Sequence, residues 1–261
     1  MKMKHVLLAG LLLGFACLCR ASGNEEKIKG NGNIITRTIP VEDFRTLNLG
    51  DQINAGRTLS SLNFFVKKKA PVFNYMQTLG AATLQITTDE NIFDELEIEQ
   101  KDGKLYIGGK NNRTKLFPTY FVANGSSSGL EKINLSGCMH FLSESLFQNP
   151  SLTIRLSGVG NVKIDDLNCD TLKCDVSGVG NLYLTGKAEE ASLDLSGVGH
   201  VYAFDCRIKD LECDLSGVGS MEVQATEQLR GNVSGVGKLR YRGDAETHTR
   251  CSGVGRIKRV D

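Results

Sequence analysis

The sequence has no tryptophan, only four prolines, and a net charge of +1 that results from 31 basic and 30 acidic residues. This balance argues against nucleic-acid binding, which usually leaves a basic bias or patch. Few prolines beside 29 glycines give a turn-rich composition typical of β-proteins and exclude a disordered chain. A nucleophile elbow, a phosphate loop and a dinucleotide-binding fingerprint are also missing. We therefore expect a protein without cofactors.

Apolar runs long enough to span a membrane are missing as well. Behind a positively charged start, the short run Val6–Leu18 is typical of a secretion signal. Two interpretations remain open: cleavage that removes residues 1–21, or attachment of a lipid to Cys17, which would be the only membrane anchor. Both predict export to the periplasm, the outer membrane or the cell surface, with residues 22–29 as a flexible leader.

The second half of the chain is organised by one repeated motif. Ser-Gly-Val-Gly occurs six times, beginning at Ser157, Ser177, Ser196, Ser216, Ser234 and Ser252. A degenerate copy, Ser-Gly-Cys-Met, begins at Ser136. A period near 20 residues is the mark of a solenoid, in which each unit buries its apolar side only against its neighbours.

Apolar residues recur at fixed positions around each serine. In the second repeat they are Cys174, Val176, Val179 and Leu182, and the two before the serine are spaced by two, as in a strand. A helix is excluded because two glycines recur in every unit, each costing about 1 kcal/mol relative to alanine. We predict that the motif forms a corner between strands, with its valine in the apolar columns. Its glycines would supply positive φ or a very close approach.

Stacked coils of about 20 residues with parallel strands predict an all-β fold, a parallel β-helix, over residues 130–261. Residues 30–129 are more irregular. There, Asp102-Gly103 lies between two alternating stretches and predicts an antiparallel hairpin.

Four motifs in a fixed order resemble the putative auto-transporter adhesin, head GIN domain, family. They are Gly30–Asn33, Thr88–Ile92, Lys101–Leu105 and the repeated Ser-Gly-Val-Gly. The resemblance covers residues 30–261 as one domain. It implies a right-handed β-helix, export into the envelope of Bacteroidetes-type bacteria, and an adhesin role without a motif-defined active site.

Two groups of residues are candidates for binding. The column Asp175, Asp194 and Asp214 would stack on one outer face, where carboxylates could hold a calcium ion or serve glycoside cleavage. The other interpretation is an ordinary solvated face, and calcium-binding repeats with aspartate in the glycine turn are absent. The basic run Lys67, Lys68 and Lys69 lies among aromatic residues and is either a contact surface or a guarded edge.

Six cysteines follow the signal-like start: Cys138, Cys169, Cys174, Cys206, Cys213 and Cys251. Cys174 and Cys213 share a column but are separated by a coil, beyond the roughly 7 Å limit for a disulfide. We predict mostly buried free thiols and, since the cysteine and histidine spacing matches no zinc site, no metal.

Three functions remain open. The first is a non-enzymatic envelope adhesin or binding module, with a glycan, another envelope protein or a second copy of the chain as partner. The second is a purely structural module, and the third is a polysaccharide-active enzyme. A cleft with converging acidic and basic groups would favour the enzyme, whereas a flat polar face and an exposed apolar patch would favour adhesion or assembly.

Overall fold

The computed structural model describes residues 26–54 and 70–260. The elements of the first half are β1 (Glu26–Lys29), β2 (Ile34–Ile39), β3 (Thr46–Leu49), β4 (Val72–Gln77), β5 (Thr83–Asp89), α1 (Glu90–Phe93), β6 (Leu96–Lys101), β7 (Lys104–Gly109), β8 (Thr114–Phe117) and β9 (Phe121–Ser127). Those of the second half are β10 (Lys132–Leu135), β11 (His140–Ser143), β12 (Phe147–Leu156), β13 (Val159–Val176), β14 (Val179–Leu195), β15 (Val198–Leu215), β16 (Val218–Val233), β17 (Val236–Arg242), β18 (Glu246–Cys251) and β19 (Val254–Arg259).

The second half is a β-solenoid, so the predicted all-β fold of parallel stacked coils is confirmed, with about six turns. Each strand from β12 to β17 pairs in parallel with the strand one coil further along. Every serine of the motif lies at a bend between two strand segments. Each coil therefore presents one outer surface before its serine and another after it.

Antiparallel strands close the other end of the solenoid. Strands β3 and β4 continue the coils through β10 and β11, and β7 and β9 form the next layer. On that layer, β6 pairs antiparallel with β7, and β5 pairs antiparallel with β9 and β2. The predicted hairpin at Asp102-Gly103 is confirmed: both residues have positive φ, 50° and 68°. Glu26–Lys29, expected within a flexible leader, instead pairs with β8.

The motif valines face solvent, which corrects their assignment to the apolar columns. Strict alternation from buried Leu195 places Gly197 and Gly199 on the core side and Val198 on the outside. The same holds in the other coils, and the valines stack in register as a valine stripe. Their exposed fractions are 41% for Val179, 50% for Val198, 50% for Val218, 51% for Val236 and 76% for Val254.

The corner glycines are required by close stacking of successive backbones. A Cβ on Gly197 would come closer than 3.0 Å to the carbonyl oxygen of Gly178 in the preceding coil. A Cβ on Gly199 would meet the carbonyl oxygen of Gly180 in the same way. Of the two reasons predicted for glycine, close approach is therefore the one that applies at Gly197, which does not have a positive φ.

Polar side chains also join the coils just beyond each corner. Asn161 is 1% exposed, and its side-chain oxygen accepts the backbone N–H of Asn181, at 2.9 Å. Asn181 in turn accepts the N–H of His200, at 3.0 Å. His140 heads this row: its Nδ1 accepts the N–H of Asn161, and burial lowers the pKa of His140. The row links successive coils, so these side chains are structural.

A buried carboxylate explains the Gly-Asn-Gly-Asn motif. Asp89 accepts hydrogen bonds from the N–H of Gly32 (2.8 Å), and from the N–H (2.8 Å) and hydroxyl (2.6 Å) of Thr119. A Cβ on Gly30 would collide with the Asp89 carboxyl group, and Gly32 has a φ of +82°. The motif is therefore a loop folded around Asp89, tying β2 to the segment before β9.

The six cysteines of the described residues are all free thiols. Cys174 pairs with Leu193, which pairs with Cys213, so the predicted separation of these two cysteines is confirmed. Burial raises the pKa of both Cys169 and Cys206 to about 12, which keeps these thiols protonated. Cys251 differs from the prediction and is exposed, because no described strand stacks upon β18.

Candidate functional site

The three predicted aspartates stack on one surface. Asp175 pairs in register with Asp194, and Asp194 pairs with Asp214, so their carboxylates follow the solenoid axis on strands about 4.8 Å apart. We call the outward surface of the segments before each serine the carboxylate face. The other candidates, Lys67, Lys68 and Lys69, lie outside the described residues, as do Cys17 and residues 1–21.

The two ends of the aspartate row pair with side chains of neighbouring coils, whereas Asp194 at its centre accepts a hydrogen bond from Ser196. Asp175 Oδ2 lies 3.3 Å from Arg155 Nε, and Asp214 Oδ1 accepts a 2.8 Å hydrogen bond from the Asn232 amide. The pKa of Asp194 is raised, chiefly by partial burial and further by the neighbouring carboxylates of Asp214 and Asp175. A hydrogen bond from Ser196 lowers this pKa but does not cancel the increase. The charge of Lys173 and the Ser196 hydrogen bond therefore offset only part of the burial and repulsion at the middle of the row.

Two shallow grooves run across the same face. One, of about 410 Å³, is lined by residues that include Lys173, Glu190 and Asp210. The other, of about 370 Å³, includes Asp214, Arg250 and Asn232. Both include Glu212 and Arg230, so they form one continuous strip that carries both acidic and basic side chains.

Sequence reasoning missed Glu212 and Arg230, although a signal for both was present. They lie four residues before a motif serine, two positions from the aspartate column and on the same side of the strand. In register, Lys173 pairs with Ser192, Ser192 with Glu212, and Glu212 with Arg230. Extending the column alignment by two residues would have found them.

The arrangement suits hydrogen bonding more than metal or acid–base chemistry. Within residues 26–54 and 70–260, no group of three or more His, Cys, Asp or Glu side chains could hold a metal ion. The aspartates form a straight row along one surface, so no two of them lie on opposite sides of a glycosidic bond, as the two carboxylates of a glycosidase do. The carboxylates accept hydrogen bonds, and the neighbouring Arg and Asn side chains donate them.

The Asp194→Asn substitution should stabilise the protein at neutral pH. A raised folded-state pKa means that ionised Asp194 costs stability, a cost that disappears as pH falls through that pKa. We expect a gain of up to about 1 kcal/mol at neutral pH and little gain in acid. Thermal melting of the wild type and the variant at neutral pH and in acid measures this gain in stability. Asp175→Asn is the control, since it removes a residue paired with Arg155 and should give no gain.

The family model for "Putative auto-transporter adhesin, head GIN domain" matches residues 74–245. The chain belongs to this family. The resemblance carried by the four sequence motifs is thereby confirmed. The match spans the hairpin, the first five Ser-Gly-Val-Gly corners and the whole aspartate row of this head GIN domain protein.

Solved structures with the same architecture come from Bacteroides and Parabacteroides species. A putative adhesin of Bacteroides fragilis has a TM-score of 0.79 and 28% identity, covering 89% of this chain and 100% of that one. A putative lipid binding protein of Parabacteroides distasonis has a TM-score of 0.71 and 28% identity, with 90% and 100% coverage. A putative adhesin of Parabacteroides merdae has a TM-score of 0.64 and 25% identity, covering 90% of this chain and 100% of that one. None of the curated proteins matches the chain.

Within residues 26–54 and 70–260 of this head GIN domain protein, no helix is both long enough and apolar enough to cross a bilayer.

Proposed function

We propose that this protein is a non-enzymatic adhesin of the bacterial cell envelope that binds a glycan along the carboxylate face. The observation that carries the proposal is the in-register strip of acidic and basic side chains that crosses successive coils of the solenoid. Such a strip matches an extended ligand with many hydroxyl groups, which need both acceptors and donors.

Two further features support binding over turnover. The valine stripe gives the protein an exposed apolar surface beside polar faces, the combination expected for adhesion or assembly. The three aspartates form a row rather than a facing pair, so they do not flank a glycosidic bond as an acid and a base would. The family description and the signal-like start of the sequence support an exported location.

A glycan-array screen tests this proposal, using the wild type and the variant Asp175→Asn/Asp194→Asn/Asp214→Asn. We expect the wild type to bind a defined group of glycans and the variant to lose most of that signal, by roughly tenfold or more. Lys101→Gln/Lys104→Gln, at the distant hairpin, is the matched control and should bind like the wild type. Absence of binding by the wild type, or equal binding by the variant, would show that the carboxylate face is not the site.

A further inference from the structure

The last two coils concentrate positive charge on the outward surface of the segments that follow the motif serines. The carboxylate face, by contrast, is formed by the segments that precede them. Outward positions of β17 hold Lys238, Arg240 and Arg242, and those of β19 hold Arg256 and Lys258. Lys238 stacks in register on Arg256, and Arg240 on Lys258. We call these five cations the basic face.

Little of this charge is neutralised within the described residues. Arg240 pairs with Glu222 through a 2.6 Å contact. Across residues 26–54 and 70–260, no carboxylate forms an ion pair with Lys238, Arg242, Arg256 or Lys258. Like charges placed directly opposite on neighbouring strands destabilise a sheet, so the arrangement costs stability in the absence of an anion.

Protection of an open sheet edge does not account for the basic face. Lysine and arginine on an edge strand discourage pairing with other chains, and this could explain the charges of β19. Strand β17, however, is paired on both sides, with β16 and with β19, and carries three of the five cations. A strand with no free edge needs no such guard.

The two arginines of β17 are held in place by neighbouring side chains. The guanidinium carbon of Arg242 lies 4.2 Å from the ring centre of Phe204, and that of Arg240 lies 5.5 Å from the same ring. Stacking on an aromatic ring and pairing with Glu222 reduce the freedom that these side chains would lose on binding. Held guanidinium groups are suited to bidentate contacts with sulfate or carboxylate oxygens.

We propose that the basic face binds a sulfated polysaccharide. Alternate residues along a strand are about 6.7 Å apart, so the cations from Lys238 to Arg242 span about 13 Å, more than one sulfate group can reach. An anionic lipid surface is less well matched. The apolar side chains that border the face, Val236 and Val254, are small, whereas interfacial binding relies on Trp, Phe and Leu.

Heparin is the probe, and its binding is measured by titration calorimetry at several salt concentrations. We expect the wild type to bind, with an affinity that falls steeply as salt rises. The variant Lys238→Gln/Arg242→Gln/Arg256→Gln should bind roughly tenfold or more weakly and show a smaller salt dependence. The control Lys101→Gln/Lys104→Gln/Arg113→Gln removes the same charge from exposed positions elsewhere and should bind like the wild type.

Two outcomes would overturn the proposal. These are absence of heparin binding by the wild type in low salt and an equal loss of heparin binding in the charge-matched control. Binding to phosphatidylglycerol vesicles but not to heparin would assign the face to lipid instead. The proposed function can be separated from this one, because the triple aspartate variant should keep its heparin affinity.

Discussion

Gly197→Val should destabilise the middle of the solenoid by more than about 3 kcal/mol. The new Cβ would overlap the carbonyl oxygen of Gly178, a backbone atom of the neighbouring coil that cannot rotate away. Relief requires the two coils to move apart, and each coil buries its apolar side only against its neighbours. Urea unfolding followed by far-UV circular dichroism measures the loss, and Gly197→Ala provides a milder variant if the valine protein does not fold.

Val198→Thr is the matched control for this substitution. It changes the next residue, which is half exposed and belongs to the valine stripe, and it keeps a β-branched side chain. We expect an effect within about 0.5 kcal/mol. If Gly197→Val and Val198→Thr unfolded at the same urea concentration as the wild type, close backbone stacking could not be the reason for glycine at the corner.

Asp89→Asn should cost about 3 kcal/mol at neutral pH, since it removes a buried charge with several charge-assisted hydrogen bonds. Burial alone would raise the pKa of Asp89, but hydrogen bonds from Thr119, Gly32 and Tyr120 outweigh burial and lower it. A lowered pKa gives stability that is present above the unfolded-state pKa and is lost as pH falls through the folded-state pKa.

The pH dependence separates this role from simple packing. The difference in unfolding free energy between wild type and Asp89→Asn should shrink as the solution is acidified below about pH 4. Asp94→Asn, at an exposed aspartate close by in sequence, should change stability by less than about 0.5 kcal/mol at any of these pH values. A difference for Asp89→Asn that stayed constant with pH would mean that the charge of Asp89 does not anchor the Gly-Asn-Gly-Asn loop.

The repeat made most of the solenoid predictable, because six copies fix both the period and the columns. The error over the valines has a simple physical origin. Counting by two from Leu195 leads to Gly197 and Gly199, so strict alternation already placed Val198 on the outside. The hydrophobicity of valine, taken alone, assigns this residue to the core, which is the wrong side. At a corner where stacked backbones leave no room inside, glycine takes the core positions and an apolar residue can face solvent.

The candidate site was predictable only in part. The aspartate column follows from register alone, since residues at equal distances from successive serines must stack. The raised pKa of Asp194 depends on which carboxylates find partners, and the pairing of Arg155 and Asn232 with the two ends requires coordinates. The contact between Arg242 and the ring of Phe204 could not be predicted either, because the strand register shifts after Ala203 and residues there no longer stack at equal distances from the serines.

The loop around Asp89 shows a different limit of sequence reasoning. Gly30–Asn33 and Thr88–Ile92 carried the family resemblance, but nothing in their spacing indicates that they touch. They meet because β2 pairs antiparallel with β5, with Ile34 opposite Asp89. Non-local pairing of this kind in the irregular first half has no repeat from which it can be counted.

Binding without turnover is the central claim, and the molar mass of a bound polysaccharide tests it most directly. The wild-type protein is incubated with a polysaccharide that it binds on the array, and the polymer is then analysed by size-exclusion chromatography with light scattering. We expect the molar mass to remain that of the untreated polymer while the protein stays bound to it. Progressive shortening, abolished in the triple aspartate variant, would show instead that the carboxylate face is the active site of an enzyme.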